Sequence, residues 1–554
     1  MIDTGTRGPT PHRGTLGFAA AALAGILAGA AVLGIGELVG AILDPRSSPF
    51  FAAGATIVDH TPQQLREEAI RRFGSHDKDV LFAAMGAAMV VLAALCGVLE
   101  RRRRIGSVVF AVLGIAITVA ALHRPNAQWW FAIPTAAGVV AGLIALRLLL
   151  PHRVPKSVRL PNHGEHRREA PERREVLDSA ESSRSARVPV HADPSDGIRL
   201  GRRRFLAMAA GVGAIAVGAA ATGRFVAQRL RDVAADRSRY VVPKPVSDVA
   251  PVSPAMTRSV PGLTAFVTPG ADFYRVDTAL QVPAVSSADW SLRIHGMVDR
   301  AVEFTMDELR RRPAIARMIT LTCVSNEVGG TLAGNAVWTG YRLGDLLHEA
   351  GVHPDADMVL SRSADGFTAG TPIQAMTDGR DALLAVAMNG APLPLEHGYP
   401  ARLVVPGLYG YVSATKWVVD LEVTRFERAQ AYWTTRGWAE QAPIKTASRI
   451  DVPAAFATLP AGPVVVAGVA WAQHRGIASV EVQVDDGPWH AADLTTEYSP
   501  DTWRQWTYRW QATPGTHTVR VRATDTTGTT QPAQRRPPMP DGATGWHSRT
   551  VSVR

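Results

Sequence analysis

The sequence predicts three structural parts: an N-terminal all-α bundle of five transmembrane helices, an α+β domain, and a C-terminal antiparallel β-sandwich. Two observations lead to this fold class. The 554 residues are 46% hydrophobic and 19% charged, which is apolar for a soluble protein, so a membrane portion is expected. The long Ala, Leu, Val and Gly runs lie almost entirely in the first 225 residues. The remaining residues mix polar and apolar positions as globular domains do, and they are numerous enough for a sizeable core.

The apolar half contains five segments that meet or approach the length needed to cross a bilayer, about 20 residues in a helix. They are residues 16–43, 80–99, 105–122, 131–150 and 205–222. We therefore expect a four-helix transmembrane region over residues 1–150 and a fifth helix over residues 205–222. Glu37 lies near the outer end of the first segment, where it is either functional or simply solvated at the interface.

Basic residues in the loops predict the orientation of these helices. Residues 101–104 are four arginines between the second and third helices, whereas the next loop contains only Arg124. Positive loops remain in the cytoplasm, so the N-terminus is expected inside and everything after Thr222 outside. Residues 44–79 run against this trend, because they would be outside and yet contain five Lys and Arg.

Residues 151–204 form a basic linker that we expect to be cytoplasmic and disordered. The linker has 13 Lys and Arg against 8 Asp and Glu, an excess of five that is half of the net charge of +10. It has no periodic apolar positions. The basic pI therefore reflects membrane topology, and no nucleic-acid partner is expected.

The fifth helix begins with Gly201-Arg-Arg-Arg-Phe-Leu, which resembles a twin-arginine export signal. That pathway moves folded proteins, often with a cofactor already inserted. The alternative is a plain basic flank that stops transfer. On either interpretation the chain is a multi-pass protein of the cell membrane with its globular part extracytoplasmic.

Residues 225–450 alternate short β-branched runs with turns and short helices, which predicts the α+β domain. Strands are expected over residues 289–297, 318–323 and 401–406, and helices over residues 305–312 and 342–350. Thr305 and Glu308 have the spacing of a capping box.

Only two cysteines are present, Cys96 in an apolar run, where it packs, and Cys323. Cys323 ends a predicted buried strand, before the polar loop 324–330. In an exported domain it has no disulfide partner, so it is either an inert buried thiol or a ligand for a redox metal.

Ordered motifs run from Phe273 towards the C-terminus. They are Phe273-Tyr274-Arg275 with Val282-Pro283, the run LTCVSNE around Cys323, Gly334-Asn335 with Trp338 and Gly340, the stretch from Asn389 through His397 and Arg402 to Gly407, and the pairs Tyr409-Gly410 and Lys416-Trp417. The series resembles the molybdopterin-binding fold of the sulfite oxidase family and covers about half of the chain. The resemblance is to a membrane-anchored bacterial member.

The resemblance implies molybdenum and molybdopterin as cofactors, with Cys323 as the one protein ligand to the metal. Cofactor contacts are implied for Arg275, His397, Arg402 and Lys416, and arginine suits a phosphate because it donates bidentate charge-assisted hydrogen bonds. The alternatives are surface salt bridges for Arg402 and Lys416 and a satisfied loop histidine for His397. Candidates to line the substrate pocket are Trp338, Tyr409 and Tyr432.

The sequence departs from sulfite oxidases at the positions that give the family a positive anion pocket. Asn326-Glu327-Val328 stands where those enzymes have an arginine, Asp277 stands where they have a histidine, and residues 540–547 lack a further arginine. A small dianion needs several fixed positive charges. The substrate is therefore expected to be neutral or bulkier than sulfite, such as a sulfoxide to be reduced.

Residues 451–554 predict the antiparallel β-sandwich, with strands over residues 464–470, 479–484, 507–511 and 517–523. Trp471, the run VDDGPW and the run RATDTTG resemble the immunoglobulin-like dimerisation domain of the same family. A homodimer is therefore favoured over a monomer. A carbohydrate-binding sandwich is the alternative for this part alone.

The favoured function is a molybdenum-cofactor oxidoreductase that transfers an oxygen atom to or from a small sulfur-containing or related substrate outside the cytoplasm, with an unidentified electron acceptor or donor. Sulfoxide reduction is the alternative to sulfite oxidation. A second class is a non-catalytic membrane scaffold with a relict cofactor domain. A third is an electron-transfer subunit with haem in the helices, which the lack of histidine within the first four apolar runs disfavours.

Overall fold

The computed structural model describes residues 15–44, 47–62, 65, 72, 77–103, 105–124, 127–150, 194–230 and 233–554. The chain divides into two compact units, Met1–Gln228 and Arg229–Arg554. Most of the predicted linker, residues 151–193, lies outside the described residues.

The first unit is helical. Its α-helices are Thr15–Leu43, Pro49–His60, Asp77–Arg103, Ile105–Leu122, Ala132–Leu149 and Pro194–Leu230, with a 3-10 turn at Trp129–Phe131. Five segments are long and apolar enough to cross a membrane: Gly17–Leu43, Lys78–Arg101, Ile105–Leu122, Trp129–Leu149 and Phe205–Phe225. The five expected helices are therefore present.

Two features of this unit differ from the sequence prediction. The additional helix Pro49–His60 begins where Ser48 Oγ accepts a hydrogen bond from the backbone N–H of Phe51 at 3.2 Å, with proline in the first turn. The last helix begins at Pro194, not at residue 205, so the assignment of residues 194–204 to the linker is corrected. Proline suits a first helical turn.

Small residues allow the helices of this unit to approach closely. A Cβ atom added to Gly25 would lie 2.0 Å from Ala93 O, and one added to Gly97 would lie 2.0 Å from Ala21 O. Close backbone contact through small residues is the usual packing mode where lipid replaces water.

The second unit starts with an α+β domain of two sheets, as predicted. In spatial order the first sheet contains Pro245–Ser247, Ala314–Thr322, Ala333–Arg342, Leu383–Met388 and Arg402–Val404, with Ala391–Pro392 beside Leu383–Met388. The second contains Val302–Thr305, Ser291–Gly296, Val418–Thr424, Met358–Ser363 and Thr368–Pro372. The α-helices are Val233–Arg239, Met306–Leu309, Leu343–Ala350, Gln374–Thr377 and Gly410–Ser413, and the 3-10 turns are Pro254–Met256, Gly270–Asp272, Leu395–His397 and Thr434–Arg436.

The capping box is present, because Thr305 Oγ1 accepts from the Glu308 N–H at 3.3 Å and Glu308 Oε2 accepts from the Thr305 N–H at 2.8 Å. The helix that it caps is the single turn Met306–Leu309, shorter than expected. The apolar strand Ala314–Thr322 is almost wholly buried and pairs antiparallel with Ala333–Arg342 up to Thr322 and Ala333. Cys323 is therefore the first residue of the connection between these two strands.

The C-terminal part folds into two further sheets. The first contains Ala447–Val452, Gly462–Trp471, Arg504–Ala512 and Asp493–Leu494, and the second contains Thr458–Leu459, His547–Val553, Gly515–Asp525, Ile477–Val484 and Trp489–Ala491. All pairs are antiparallel except Thr458–Leu459 with His547–Val553. Buried residues of both sheets form one core, including Val466, Val482, Trp506, Val519 and Val551. The first strand starts at Ala447, before the predicted boundary at residue 451.

The C-terminal sheets hold the strand that leads to Cys323. Gln473 Nε2 donates to Thr320 O at 3.1 Å and to Thr322 Oγ1 at 2.9 Å. The backbone N–H of Trp503 donates to Thr320 Oγ1 at 2.9 Å, and the Thr320 N–H donates to Asp501 O at the same distance. Because these groups are buried, their hydrogen bonds fix the strand relative to the C-terminal sheets.

Candidate active site

Cys323 is a free, buried cysteine at the start of a well-held loop. Its backbone N–H donates to Leu332 O at 2.9 Å, and its carbonyl accepts from the Asn326 N–H at 3.1 Å. Burial raises the pKa of the thiol, while contacts with Ser325 and the charge of Lys416 oppose this rise. A bound metal would supply the positive charge that turns such a thiol into a thiolate.

The C-terminal sheets also hold the loop 324–330. Arg449 Nη1 donates to Gly330 O at 2.9 Å, and its Nε pairs with Asp451 at 2.6 Å in a buried ion pair. His547 lies against Gly329, where an added Cβ would be 2.3 Å from the imidazole. The C-terminal sheets thus hold the end of the loop, and the backbone hydrogen bonds of Cys323 hold its start.

Arg402 is a buried cation that donates only to backbone carbonyls in the described part of the chain. Its Nη1 donates to His397 O at 3.1 Å and its Nη2 to Ala414 O at 3.3 Å, with Leu403 O at 3.4 Å from Nε. It forms no salt bridge with a described carboxylate. Burial lowers the pKa of Arg402 to about 10, which leaves it charged at neutral pH. A buried charge without a counterion is costly, so this position fits an anionic ligand.

His397 supplies a neutral donor beside this cation. It is buried, and no hydrogen bond to its ring is found among the described residues. Burial, followed by the charges of Arg402 and Lys416, lowers the pKa of His397 to about 4. The imidazole is therefore neutral at pH 7 and has one N–H to donate to a ligand.

Lys416 and Arg275 share one carboxylate. Lys416 Nζ lies 2.7 Å and Arg275 Nε lies 2.8 Å from Asp277 Oδ2, and Lys416 also donates to Glu396 O at 3.1 Å. Burial lowers the pKa of Lys416 to about 8 against the opposing effect of Asp277. Two of the three cations predicted to contact the cofactor are therefore partly neutralised by Asp277.

Aromatic rings join these groups. Phe273 makes edge contacts with Trp338 at 5.7 Å and with His397 at 5.6 Å, and it stacks on Tyr274 at 5.2 Å. The Arg402 guanidinium lies 5.0 Å from the Trp338 ring centre. Trp338 is completely buried and donates its indole N–H to Ile319 O. The ring packs against Arg402, and its contact with substrate stays a prediction.

The two predicted pocket tyrosines lie in different surroundings. Burial raises the pKa of Tyr409 to about 12, with a smaller contribution from Cys323, so this side chain is near the thiol. Its hydroxyl accepts from the Lys445 N–H at 3.4 Å, and a Cβ added to Gly542 would lie 2.5 Å from it. Tyr432 packs against Phe367, Trp433 and Arg436. Its backbone N–H donates a hydrogen bond to Thr368 Oγ1.

Several residues of this site were not selected from the sequence. Tyr274 interacts electrostatically with both Cys323 and Arg402, although only its neighbour Arg275 was chosen from the same motif. Arg449, Gln473 and His547 come from the C-terminal sheets, and their distance along the chain hides their role. The sequence offers no local signal for them, because the burial of a polar side chain becomes visible only in the folded structure.

Comparison with known proteins agrees with this geometry. Residues 279–433 match the family described as "Oxidoreductase molybdopterin binding domain". The chain is 32% identical over 149 residues to "Uncharacterized oxidoreductase YuiH" of Bacillus subtilis, covering 27% of this chain and 72% of that protein. The chain belongs to the sulfite oxidase family of molybdopterin-dependent oxidoreductases.

Two further similar proteins show how much of the chain the similarity covers. Mitochondrial sulfite oxidase of Drosophila melanogaster is 29% identical over 293 residues, which is 44% of this chain and 50% of that protein. The chain thus spans about half the length of such relatives. The crystal structure of sulfane dehydrogenase SoxCD from Paracoccus pantotrophus aligns with a TM-score of 0.47 and 23% identity, over 57% of this chain and 90% of that chain.

A molybdenum–molybdopterin cofactor is the group that this family membership implies. The residues present fit it. The free thiol of Cys323 is a soft ligand for the metal, while Arg402 and His397 offer buried donors that no described side chain uses. Among the described residues no group of three or more His, Cys, Asp and Glu could hold a metal ion.

Replacement of the two buried arginines, Arg449 and Arg402, is expected to have different effects on stability. Arg449→Met should destabilise residues 229–554 by about 3–5 kcal/mol, because it leaves buried Asp451 unpaired. Arg402→Met should change stability little in the cofactor-free protein, because it removes an uncompensated charge, but should abolish cofactor retention. Urea unfolding and molybdenum analysis check both. Equal destabilisation by the two variants would show that Arg402 is a structural cation.

His547 makes the loop after Cys323 sensitive to acid. Burial is the first cause that lowers the pKa of His547, to about 4, and the ring accepts a hydrogen bond from the Ile450 N–H at 2.9 Å. The unfolded state therefore takes up a proton at His547 near pH 6.5, whereas the folded state takes it up only near pH 4. The free energy of unfolding consequently falls as the pH falls from about 6.5 to about 4. We expect His547→Gln to reduce this loss by an amount on the order of 2 kcal/mol. Thermal unfolding between pH 7 and 4 measures it, and an unchanged acid slope would contradict the assignment.

Proposed function

We propose that this protein is a membrane-anchored molybdenum-cofactor oxidoreductase that acts outside the cytoplasm, transferring an oxygen atom to or from a small sulfur-containing substrate. One observation carries the proposal: a buried free thiol shares its surroundings with a buried guanidinium that no described carboxylate neutralises. A ligand that combines a thiophilic metal with an anionic group satisfies both requirements.

Each side chain has a separate task in this proposal. Cys323 holds the metal, Arg402 and Lys416 hold the phosphate, and His397 donates to the pterin. Arg275 contributes at the rim, where its side chain is more exposed than that of Lys416. The bound cofactor supplies the two-electron change that accompanies transfer of one oxygen atom. The electron donor or acceptor is a separate partner.

A neutral substrate, such as a sulfoxide to be reduced, is favoured over sulfite. The side chain of Asp277 is nearly buried and its Oδ2 atom contacts both Arg275 and Lys416. A carboxylate in this position lowers the positive potential that a small dianion requires. Val328 and Glu327 follow Cys323 without adding positive charge.

The location rests on charge in the sequence. Five apolar helices provide the membrane anchor, and the basic loops favour an extracytoplasmic cofactor domain. The paired Arg202 and Arg203 before the last apolar run support twin-arginine export. The C-terminal two-sheet part is proposed to be immunoglobulin-like and to support a homodimer, as in the family that it resembles.

Metal analysis tests the cofactor proposal directly. The full-length protein, produced in cells that synthesise the cofactor, should contain about one molybdenum per chain, together with releasable pterin. Cys323→Ser should lose the thiolate-to-metal absorption because serine lacks the sulfur ligand. A folded wild-type protein without molybdenum and pterin would contradict the proposal and favour the scaffold alternative.

The substrate proposal is tested with Asp277→Asn, which keeps the shape of the side chain and removes its charge. Freed from the carboxylate, Arg275 at the rim should attract anions, so sulfate should inhibit sulfoxide reduction roughly tenfold more strongly. Exposed Asp272→Asn is the matched control and should leave inhibition unchanged. Wild-type turnover of sulfite with no turnover of sulfoxides would reverse the assignment.

A further inference from the structure

The carboxylate of Asp277 joins two chain segments that each carry a cation of the proposed cofactor site. Its Oδ2 atom lies 2.8 Å from Arg275 Nε in the same segment and 2.7 Å from Lys416 Nζ, 139 residues away along the chain. The side chain of Asp277 is 5% exposed and that of Lys416 is 10% exposed, so this ion pair is largely removed from water. The attraction between the two charges is therefore weakly screened, and the loss of either partner is costly.

Gly398 brings Lys416 next to Arg402. A Cβ atom added to Gly398 would lie 3.0 Å from the Cβ of Arg402 and 3.2 Å from the Cβ of Lys416. Glycine at this position, with its φ of +112°, therefore lets the two cationic side chains start side by side. The segment that carries the carboxylate reaches the same place through Phe273, whose ring contacts His397 at 5.6 Å. These contacts place the carboxylate and the cations in one site.

The cations of this site differ in their counter-ions. Arg402 pairs with no described carboxylate, whereas Lys416 and Arg275 both pair with Asp277. Glu396 reaches Lys416 through its backbone carbonyl, and its exposed side chain leaves its charge in water. Three cations and one carboxylate leave a net charge of +2 in the site. A phosphate monoester carries about −1.5 to −2 at pH 7, so the carboxylate adjusts the charge of the site to that of such a ligand.

Lys416 can keep this counter-ion and still bind a phosphate. An ammonium group has three N–H donors. Asp277 Oδ2 and the carbonyl oxygen of Glu396, at 3.1 Å, accept two of them, and the third has no oxygen acceptor in the described part of the chain. The carboxylate therefore compensates the charge of Lys416 without occupying all of its hydrogen-bonding capacity.

We propose that Asp277 is the counter-ion that stabilises the phosphate-binding cations before the cofactor is inserted, so that this part of the fold forms without the phosphate. The inference rests on the proposed function, because it takes the cofactor phosphate as the ligand of Lys416. Asp277 is a positioning residue, since it acts through Lys416 and Arg275. Arg402 has the opposite property, because its charge is compensated only when the anionic ligand binds.

The test compares Asp277→Asn with Asp381→Asn in the full-length protein. Each protein is produced in cells that synthesise the cofactor and in cells that cannot, and the midpoint of urea unfolding is measured together with molybdenum and pterin content. Asp381 is a matched control because it is also shared by two cations, with Arg317 Nε at 2.7 Å and Arg342 Nε at 2.6 Å. This control lies outside the proposed site, since Arg317 is six strand residues, about 20 Å, from Cys323.

We expect Asp277→Asn to lower the urea midpoint of the cofactor-free protein by roughly 1 M, because buried Lys416 loses its counter-ion. In the loaded protein the midpoint should fall by less than half as much, because the phosphate compensates the ammonium group, and molybdenum and pterin content should match the wild type. Asp381→Asn should lower the midpoint equally in both forms. An equal loss in both forms of Asp277→Asn would overturn the inference, as would failure of this variant to retain the cofactor.

The double variant Asp277→Asn/Lys416→Met separates charge compensation from packing, and it decides the matter if the single variant does not fold. Removal of the cation together with its counter-ion should return the midpoint of the cofactor-free protein to within about 0.3 M of the wild type, since no uncompensated ammonium group remains. A double variant as unstable as Asp277→Asn would contradict the inference. A wild-type protein from cofactor-producing cells that contains neither molybdenum nor pterin would instead overturn the proposed function.

Discussion

The buried guanidinium of Arg402 is the constraint on which the site depends. A cation removed from water loses several kcal/mol of hydration, and carbonyl dipoles alone return only part of that free energy. The fold nevertheless directs this side chain inward from a fully buried strand and places the Trp338 ring beneath it. Such an arrangement is stable only where the surrounding core is large or where an anion completes it. The two sheets of the α+β domain supply the first condition, and the cofactor phosphate would supply the second.

The C-terminal sheets matter to the thiol because they fix its position. A metal ligand must be held within a fraction of an ångström, and a connection between two strands is seldom rigid by itself. Here the strand before Cys323 is held by Gln473 and the loop after it by Arg449 and His547. The C-terminal sheets are therefore part of the site. Their contribution is positional, because they hold the strand before the thiol and the loop after it.

The sequence predicted the fold well where the signal was local. Apolar runs located the five long helices, alternation located most strands, and the Thr305 to Glu308 spacing located a capping box. Local patterns do not reach what tertiary contacts decide. Full burial of Trp338 depends on the strands on both sides of its own strand.

Charge balance at the site connects the substrate to the fold. Lys416 and Arg275 are held by one carboxylate, and Arg402 and His397 lie deeper, where a phosphate and pterin would use them. Little unpaired positive charge then remains for a second anion. A site whose cations are already paired favours a polar, uncharged ligand, because a dianion would lose its hydration without gaining an equivalent counterion.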